Sequence, residues 1–360
     1  MKRSTNRILT THAGRLEEPG GMPEVIRKQA NAGIDIVGDG ELGRVGFGLA
    51  YYGKRFTGLG SRPLREGEAR WSGHLSGERI EFDEFYKTLN FERFLTDQRV
   101  VCNGPISYIG QDEVRKDIEL FKASLAEAAV PVEEAFLCVV APGWLEHFFF
   151  NEFYVKEEDY VYALADAMKY ECKAIVDAGF LLQLDDPALP DTFDMMVPRL
   201  SVEEYRRFAA IRVEALNYAL KGLPQDRLRY HICWGSWHGP HTHDLPLKSL
   251  VDLMLKVNVG AYSVEAANPR HAHEWKLWRD VKLPAGKILI PGVVGHSSNV
   301  VEHPELVADR IIQYAQLVGR ENVIAGTDCG MGLRVHPQIA WAKLKALSEG
   351  AALATKELWG

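Results

Sequence analysis

Cysteine is sparse in this chain, with five residues among 360, at positions 102, 138, 172, 233 and 329. The opening residues 1–7 are basic but lead into only a short apolar run without a small-residue cleavage site, so no secretory leader is expected. Nor does any stretch approach ~18 uninterrupted apolar residues, which excludes a membrane-spanning helix from the expectations. A cytoplasmic location follows, where thiols stay reduced and exposed cysteines serve metal binding or catalysis rather than disulfides. Charge of one sign is missing too. With 42 basic against 49 acidic residues the net charge is -7, which gives no reason to expect nucleic acid as a partner. The first apolar strand is not followed by the glycine-rich fingerprint of a dinucleotide-binding sheet, and repeats and low-complexity segments are absent.

What the sequence does have is alternation. Short apolar runs at 7–12, 34–39, 135–141, 180–185, 228–233, 261–265, 287–296 and 323–329 read as strands, and 23–32, 157–179 and 202–220 carry helical spacing. Strand and helix in turn are the pattern of a parallel sheet with crossover helices, and nearly every strand ends in a polar or acidic residue. Eight such strands predict an α/β fold, a (β/α)8 TIM barrel whose site lies at the C-terminal face. Residues 48–94, rich in glycine, arginine and aromatics, are too long for a plain loop and predict an excursion between the second and third strands. Residues 100–108 read as a ninth strand or a hairpin arm. The expected organisation is one barrel over 1–360 with an insertion at about 48–130.

The strand ends hold the chemistry. His231 and Cys233 are two apart and project from the same side of their strand. Two later strands end in Glu265 and Cys329, so a His, two Cys and a Glu could converge, a ligand set that suits zinc. A lone His-x-Cys is by itself ordinary core packing, since cysteine is often buried. Cys138 and Cys172 read as packing residues. The loop with His238, His241, His243, Trp234 and Trp237, together with residues 268–275, reads as the substrate mouth.

The stretches Thr10-Thr11-His12-Ala13-Gly14, Gly38-Asp39-Gly40-Glu41, Gln183-Leu184-Asp185, His231-Ile232-Cys233, Val264-Glu265, Pro291-Gly292 with His296, and Asp328-Cys329-Gly330 occur in order along almost the whole chain. Together they resemble the catalytic domain of cobalamin-independent methionine synthase. The resemblance implies Zn2+ as cofactor, bound by His231, Cys233, Glu265 and Cys329, with the thiol of homocysteine taken as a thiolate and methylated. Coordination would supply thiolate at neutral pH, where a free thiol with pKa near ~8.5 is mostly protonated. It further implies that Glu41 and Asp185 hold the amino group of homocysteine, that His12 belongs to the substrate-binding rim, and that His296 gives a proton to the departing group of the donor; Arg15, which departs from the family, reads as a substrate-binding residue that could pair with an acceptor's carboxylate or sulfonate, or as one that points to solvent.

Two departures leave the alkyl donor open between methyltetrahydrofolate and others. Arg15 stands where the family has a small hydroxyl residue, and the chain is expected to lack the family's second, N-terminal barrel. Alternatives stay in view: thiol addition of coenzyme M to an epoxide, methyl transfer from a corrinoid protein, and a non-enzymatic zinc-binding module. The His-rich loop leaves a second metal conceivable as well, against a solvated cap.

Overall fold

The computed structural model describes residues 1–42, 49–89, 97–235 and 237–360. Eight strands lie in one parallel sheet: β1 (Leu9–Thr10), β2 (Ile36–Gly38), β3 (Glu134–Val140), β4 (Leu181–Asp185), β5 (Leu228–Ile232), β6 (Ala261–Val264), β7 (Ile288–Val294) and β8 (Ile324–Thr327). β1 pairs with β8 through Leu9↔Ile324 and Thr10↔Ala325, and the bridge Thr11↔Ile36 brings it against β2. The sheet thus curls into the expected (β/α)8 barrel. Each run is short and apolar because both faces are covered, one by helices and the other by the barrel interior.

The interior is packed rather than hollow. Leu9, Ile36, Phe136, Cys138, Leu181, Ala261, Ile288, Ile290 and Ile324 form one buried cluster inside the ring. Burying such side chains contributes roughly 1.5–3 kcal/mol each, so this plug is what closes the sheet. Above it the lining turns polar with Arg229, Gln183 and Thr11, and that change of character marks the floor of the site.

Outside, the helices follow the predicted spacing with local stop and start signals. Gly21–Asn31 buries Met22, Val25, Ile26 and Gln29, and Gly33 with φ of 83° turns the chain back into β2. Val202–Ala219 opens on a capping box, in which Ser201 accepts the N–H of Glu204 and Glu204 reaches back to the Ser201 N–H. Glu157–Asp177, Pro304–Val318 and Pro337–Trp359 complete the long helices, whereas the crossovers after β5 and β6 hold only helical turns, at Leu247–Ser249, Val251–Met254 and Glu274–Arg279. Among the described residues no helix is long and apolar enough to cross a membrane.

The excursion builds its own small sheet. Leu59–Pro63 runs antiparallel to Gln98–Cys102, which pairs in turn with Phe150–Asn151, so the stretch read as a ninth strand or arm is the middle of a three-stranded sheet beside the barrel. Helix Gln111–Ala128 packs against Gly21–Asn31 and Glu157–Asp177 as the barrel's own crossover helix. The excursion therefore stops before residue 111, where the sequence boundary ran to about 130. Of the stretch 48–94, residues 48 and 90–94 lie outside the described residues, as does Ser236 of the His-rich loop.

Candidate metal centre

Parallel register decides which side chains meet. His231 sits level with Asp185 on one side and Ser263 on the other, and residues 229, 231 and 233 alternate onto the inner face. β8 ends just short of Cys329, whose sulfur lies 3.6 Å from that of Cys233. A ring nitrogen of His231 and both sulfurs fall within 4.8 Å of one another. Ser263 Oγ is 3.0 Å from His231 Nδ1, which fixes the ring, while the buried Nε2 makes no hydrogen bond. A ring that gives its Nδ1 proton to Ser263 presents the Nε2 lone pair, the tautomer a metal requires.

The corner fits a zinc ion. Two thiolates on one tetrahedral ion at ~2.3 Å stand roughly 3.8 Å apart, close to the observed separation, whereas a disulfide would need about 2.05 Å. The contact with Cys233 holds the Cys329 thiol well below the usual thiol range, with His231 adding to the effect, and the same contact pushes Cys233 up. Cys329 is thus the thiol that gives up its proton first.

Glu265, the fourth ligand expected from the sequence, is not part of this set. Its carboxylate groups instead with His296 and Asp328. Oε2 accepts the Trp234 N–H at 3.0 Å and Oε1 accepts the Asn268 Nδ2–H at 2.9 Å. Burial raises its pKa, with Asp328 adding to the shift and His296 opposing it. His296 is fully buried and neither ring nitrogen makes a hydrogen bond, so it is not tied to Ser297 or Ser298. Burial lowers its pKa against the pull of Glu265.

Next to this corner, on the other flank of His231, the mouth carries acids. Glu41, Cys138 and Asp185 form a second close group. Glu41 adopts φ of 52°, and its Oε1 lies 2.2 Å from where a Cβ on Gly14 would stand, so only glycine at 14 leaves room for it. Asp185 Oδ1 accepts from Gln183 Nε2 at 2.6 Å, and Arg229 Nε donates to Gln183 Oε1 at 2.6 Å. Burial raises Asp185 to about 6, against the pull of His231. Cys138, read as a packing residue, does fill the interior but also touches this acid pair.

His12 and Arg15, expected at the substrate-binding rim, both have protein partners. His12 is buried with Nε2 2.7 Å from Gln29 Oε1 and Nδ1 accepting the Gly14 N–H at 3.2 Å, and burial lowers its pKa to about 3. Both ring nitrogens are committed to protein partners, so His12 braces the Gly14 turn rather than meeting a substrate. Arg15 lies against the loop after Cys329, where its carbonyl accepts from Met331 and Gly332 and its guanidinium is 3.5 Å from Glu17.

Sequence reasoning missed three supports. Arg229 is a fully buried cation beneath the site, 3.9 Å from the Phe136 ring and bonded to Thr11 Oγ1 at 2.8 Å. Its signal was a basic residue at an inward position of an apolar strand. Asp328 accepts three backbone N–H groups, from Ala266, Ala267 and Asn268, each at 2.7 Å, and so ties the loop after β6 to the end of β8. Glu78, on the excursion's Gly77–Glu81 helix, accepts the Thr242 N–H at 2.7 Å and the Tyr86 hydroxyl, fastening the excursion over the His-rich loop.

That loop is knitted by its own histidines. His241 Nδ1 and His271 Nε2 both bond Asp244 Oδ2, at 2.9 and 2.8 Å, and His271 Nδ1 reaches Glu274 at 3.1 Å. Against the burial that opposes charge, the Asp244 contact raises both imidazoles to about 9. Among the described residues the metal-capable groups of side chains do not include this loop.

Fold and rim together define a barrel with soft-ligand chemistry at its C-terminal mouth and carboxylates beside it. The chain belongs to the cobalamin-independent synthase family, whose catalytic-domain profile matches residues 149–352. It is 25% identical over 343 residues to a methionine synthase of Thermococcus kodakarensis, covering 93% of this chain and 82% of that one. A methionine synthase of Saccharolobus solfataricus is 26% identical over 255 residues, with 70% and 68% covered. Among solved structures, the B12-independent methionine synthase of Shewanella sp. W3-18-1, in complex with selenomethionine, superposes with a TM-score of 0.73 at 19% identity, covering 98% of this chain and 99% of that one. A putative vitamin-B12 independent methionine synthase of Listeria monocytogenes gives 0.62 at 17% identity, with 99% and 100% covered. These two share the fold.

Proposed function

We propose that this chain, working as a single barrel unit, is a zinc-dependent methyltransferase that methylates the sulfur of homocysteine. The observation that carries the reading is the His231, Cys233 and Cys329 corner at the C-terminal mouth of a barrel of this family. Zinc held there would keep the substrate sulfur as a thiolate, and so as a nucleophile, at neutral pH.

The chain's own residues supply the rest. Glu41 and Asp185 stand together as acceptors for the substrate ammonium, and the Arg229 to Gln183 to Asp185 chain of hydrogen bonds fixes one of them. His296 has neither ring nitrogen in a hydrogen bond, so its imidazole takes a proton at one and releases one from the other. In the overall balance the thiol proton ends on the departing group of the donor as the methyl moves to sulfur. The excursion, clamped at Thr242 by Glu78, covers one flank of the mouth and limits entry of water there.

The test is a titration of the zinc-loaded protein with homocysteine and, separately, with coenzyme M, following proton release and mass-spectrometric detection of methionine with methyltetrahydrofolate or methylcobalamin as donor. Homocysteine uptake with methionine formation is expected, and a chelator should abolish both. Uptake of coenzyme M alone, or activity that survives chelation, would overturn the assignment.

A further inference from the structure

Lys343 is a cation with no exposed surface, set within helix Pro337–Trp359. Its ammonium donates to two acceptors, the Val300 carbonyl and Glu302 Oε2, the second at 2.9 Å. Taking an ammonium out of water is costly, and an apolar side chain of similar size often serves stability as well, so a buried ion pair calls for a further reason. The other oxygen of the carboxylate supplies one. Glu302 Oε1 accepts the Gly295 N–H at 2.8 Å, and Gly295 is the residue immediately before His296.

The pair thereby closes a loop at its root. Gly295 is tied to the carboxylate and Val300 to the ammonium, while residues 298–301 stand exposed between the two ends. Beyond Glu302 the chain enters helix Pro304–Val318, which is capped by His303 and packs on Pro337–Trp359, so the root rests on two helices. A second anchor comes from the His-rich loop, where His238 Nε2 lies 2.8 Å from the His296 carbonyl and donates its N–H to it. The backbone is therefore held one residue before His296 and again at His296 itself. The ring is fully buried and has no hydrogen bond at either nitrogen, so its aim is set by its backbone and by the packing round it.

We infer that the Glu302 and Lys343 pair, with His238 as the second anchor, is the device that positions His296 at the mouth. It rests on the proposed function for what the ring does, and adds the residues that hold the ring in place. Glu302, Lys343 and His238 are positioning residues, because each acts on the backbone of the loop. Among the described residues none of the three belongs to the close groups of ligating side chains.

The experiment uses the zinc-loaded protein and two readouts. The first needs no activity: labelling with diethylpyrocarbonate, with mass spectrometry of the peptides reporting each histidine separately. Lys343→Met keeps the volume and removes both bonds of the ammonium, and Glu302→Gln leaves one acceptor oxygen in place of two. Each should raise the labelling rate of His296 at least ~10-fold, the effect of easing a local opening by one charge-assisted hydrogen bond. His12 and His147, buried elsewhere, should stay as protected as in the parent. His238→Ala, at a half-buried loop position, keeps the test open should Lys343→Met fail to fold, and it too should uncover His296. His238→Gln, whose amide N–H donates to the same carbonyl, should restore protection.

The second readout is methionine formation. The same uncovering variants should lower kcat by about 10-fold, part of the ~10²–10⁴-fold that a positioned acid contributes, with KM for homocysteine and zinc retention within about twofold of the parent. Added to His296→Ala, Glu302→Gln should bring no further loss, since its effect passes through the ring that is gone.

His296 labelling in these variants that matches the parent would overturn the inference. So would labelling that rises equally at His12 and His147, the mark of general loosening, or a full further loss of kcat on the His296→Ala background. A parent that makes no methionine while His296 alone is uncovered in the variants defeats the proposed function and leaves the positioning of His296 standing.

Discussion

The two sides of the barrel mouth are held by opposite means. At the candidate metal corner His231 Nε2 makes no hydrogen bond, and the sulfurs of Cys233 and Cys329 lie 3.6 Å apart. On the acid side the supports are saturated, with Arg229, Gln183 and Asp185 passing hydrogen bonds in a line. Asp328, behind the metal side, is saturated likewise by three backbone donors. Groups meant to exchange ligands are kept open, and groups meant to aim them are closed off.

The sharpest way to break that contrast is to remove an open ligand. Cys329→Ser and His231→Ala should each lower zinc retention by more than ~100-fold, read by metal analysis after dialysis, whereas Cys172→Ser, in a helix away from the mouth, should retain zinc like the parent. Next in size is Arg229→Met on the saturated side. It strips partners from Gln183, Thr11 and the His12 carbonyl, and urea unfolding should show a loss of about 3–5 kcal/mol, together with a raised KM for homocysteine as Asp185 loses its alignment. Asp328→Asn keeps the shape but leaves one oxygen to serve three N–H groups, so a loss of about 1–3 kcal/mol is expected by the same measurement.

Stability against pH sharpens the comparison from another direction. His12 and His147 are both buried with pKa lowered to about 3, by burial first. Between pH 3 and about 6.5 the unfolded chain binds the extra protons, so these two groups make stability rise with pH, by at most about 2.7 kcal/mol per unit. His241 and His271, raised to about 9 through Asp244, do the reverse. Their contribution is complete below about 6.5 and is lost as pH climbs through 9. In chemical denaturation across pH 4 to 10, Asp244→Asn should flatten the alkaline limb while leaving the His12 and His147 contribution on the acid side unchanged.

The barrel was legible because both faces of its strands are covered, so each reads as a short apolar run with a polar end, and eight of them occur in order. The helix spacing was legible for the same reason on one face. The crossovers after β5 and β6 could not be foreseen, since single helical turns carry too few residues for a period to register. In the site, His231 and Cys233 were readable from their separation of two on a strand, and Cys329 from its place after another strand. Glu265 was placed by residue type, but which neighbour holds its carboxylate depends on Asn268 and Trp234, and their meeting is set by loops. Arg229 and Asp328 went unread because their partners lie on other strands, where a single sequence records no proximity. The partner of the His12 ring went unread for the related reason that Gln29 sits on the following helix.

The contact between Cys233 and Cys329 spans 96 residues of chain. A ribosome adding about 5–20 residues per second makes the second sulfur roughly 5–20 seconds after the first, and β8, which delivers it, is also the strand that β1 pairs with. During synthesis, then, Cys233 and His231 wait as half of a pair. The three-residue corner is finished only when the ring closes, so an ion held by all three side chains would be taken up only then, and a chain stalled before β8 would carry Cys233 without Cys329, a thiol open to alkylation.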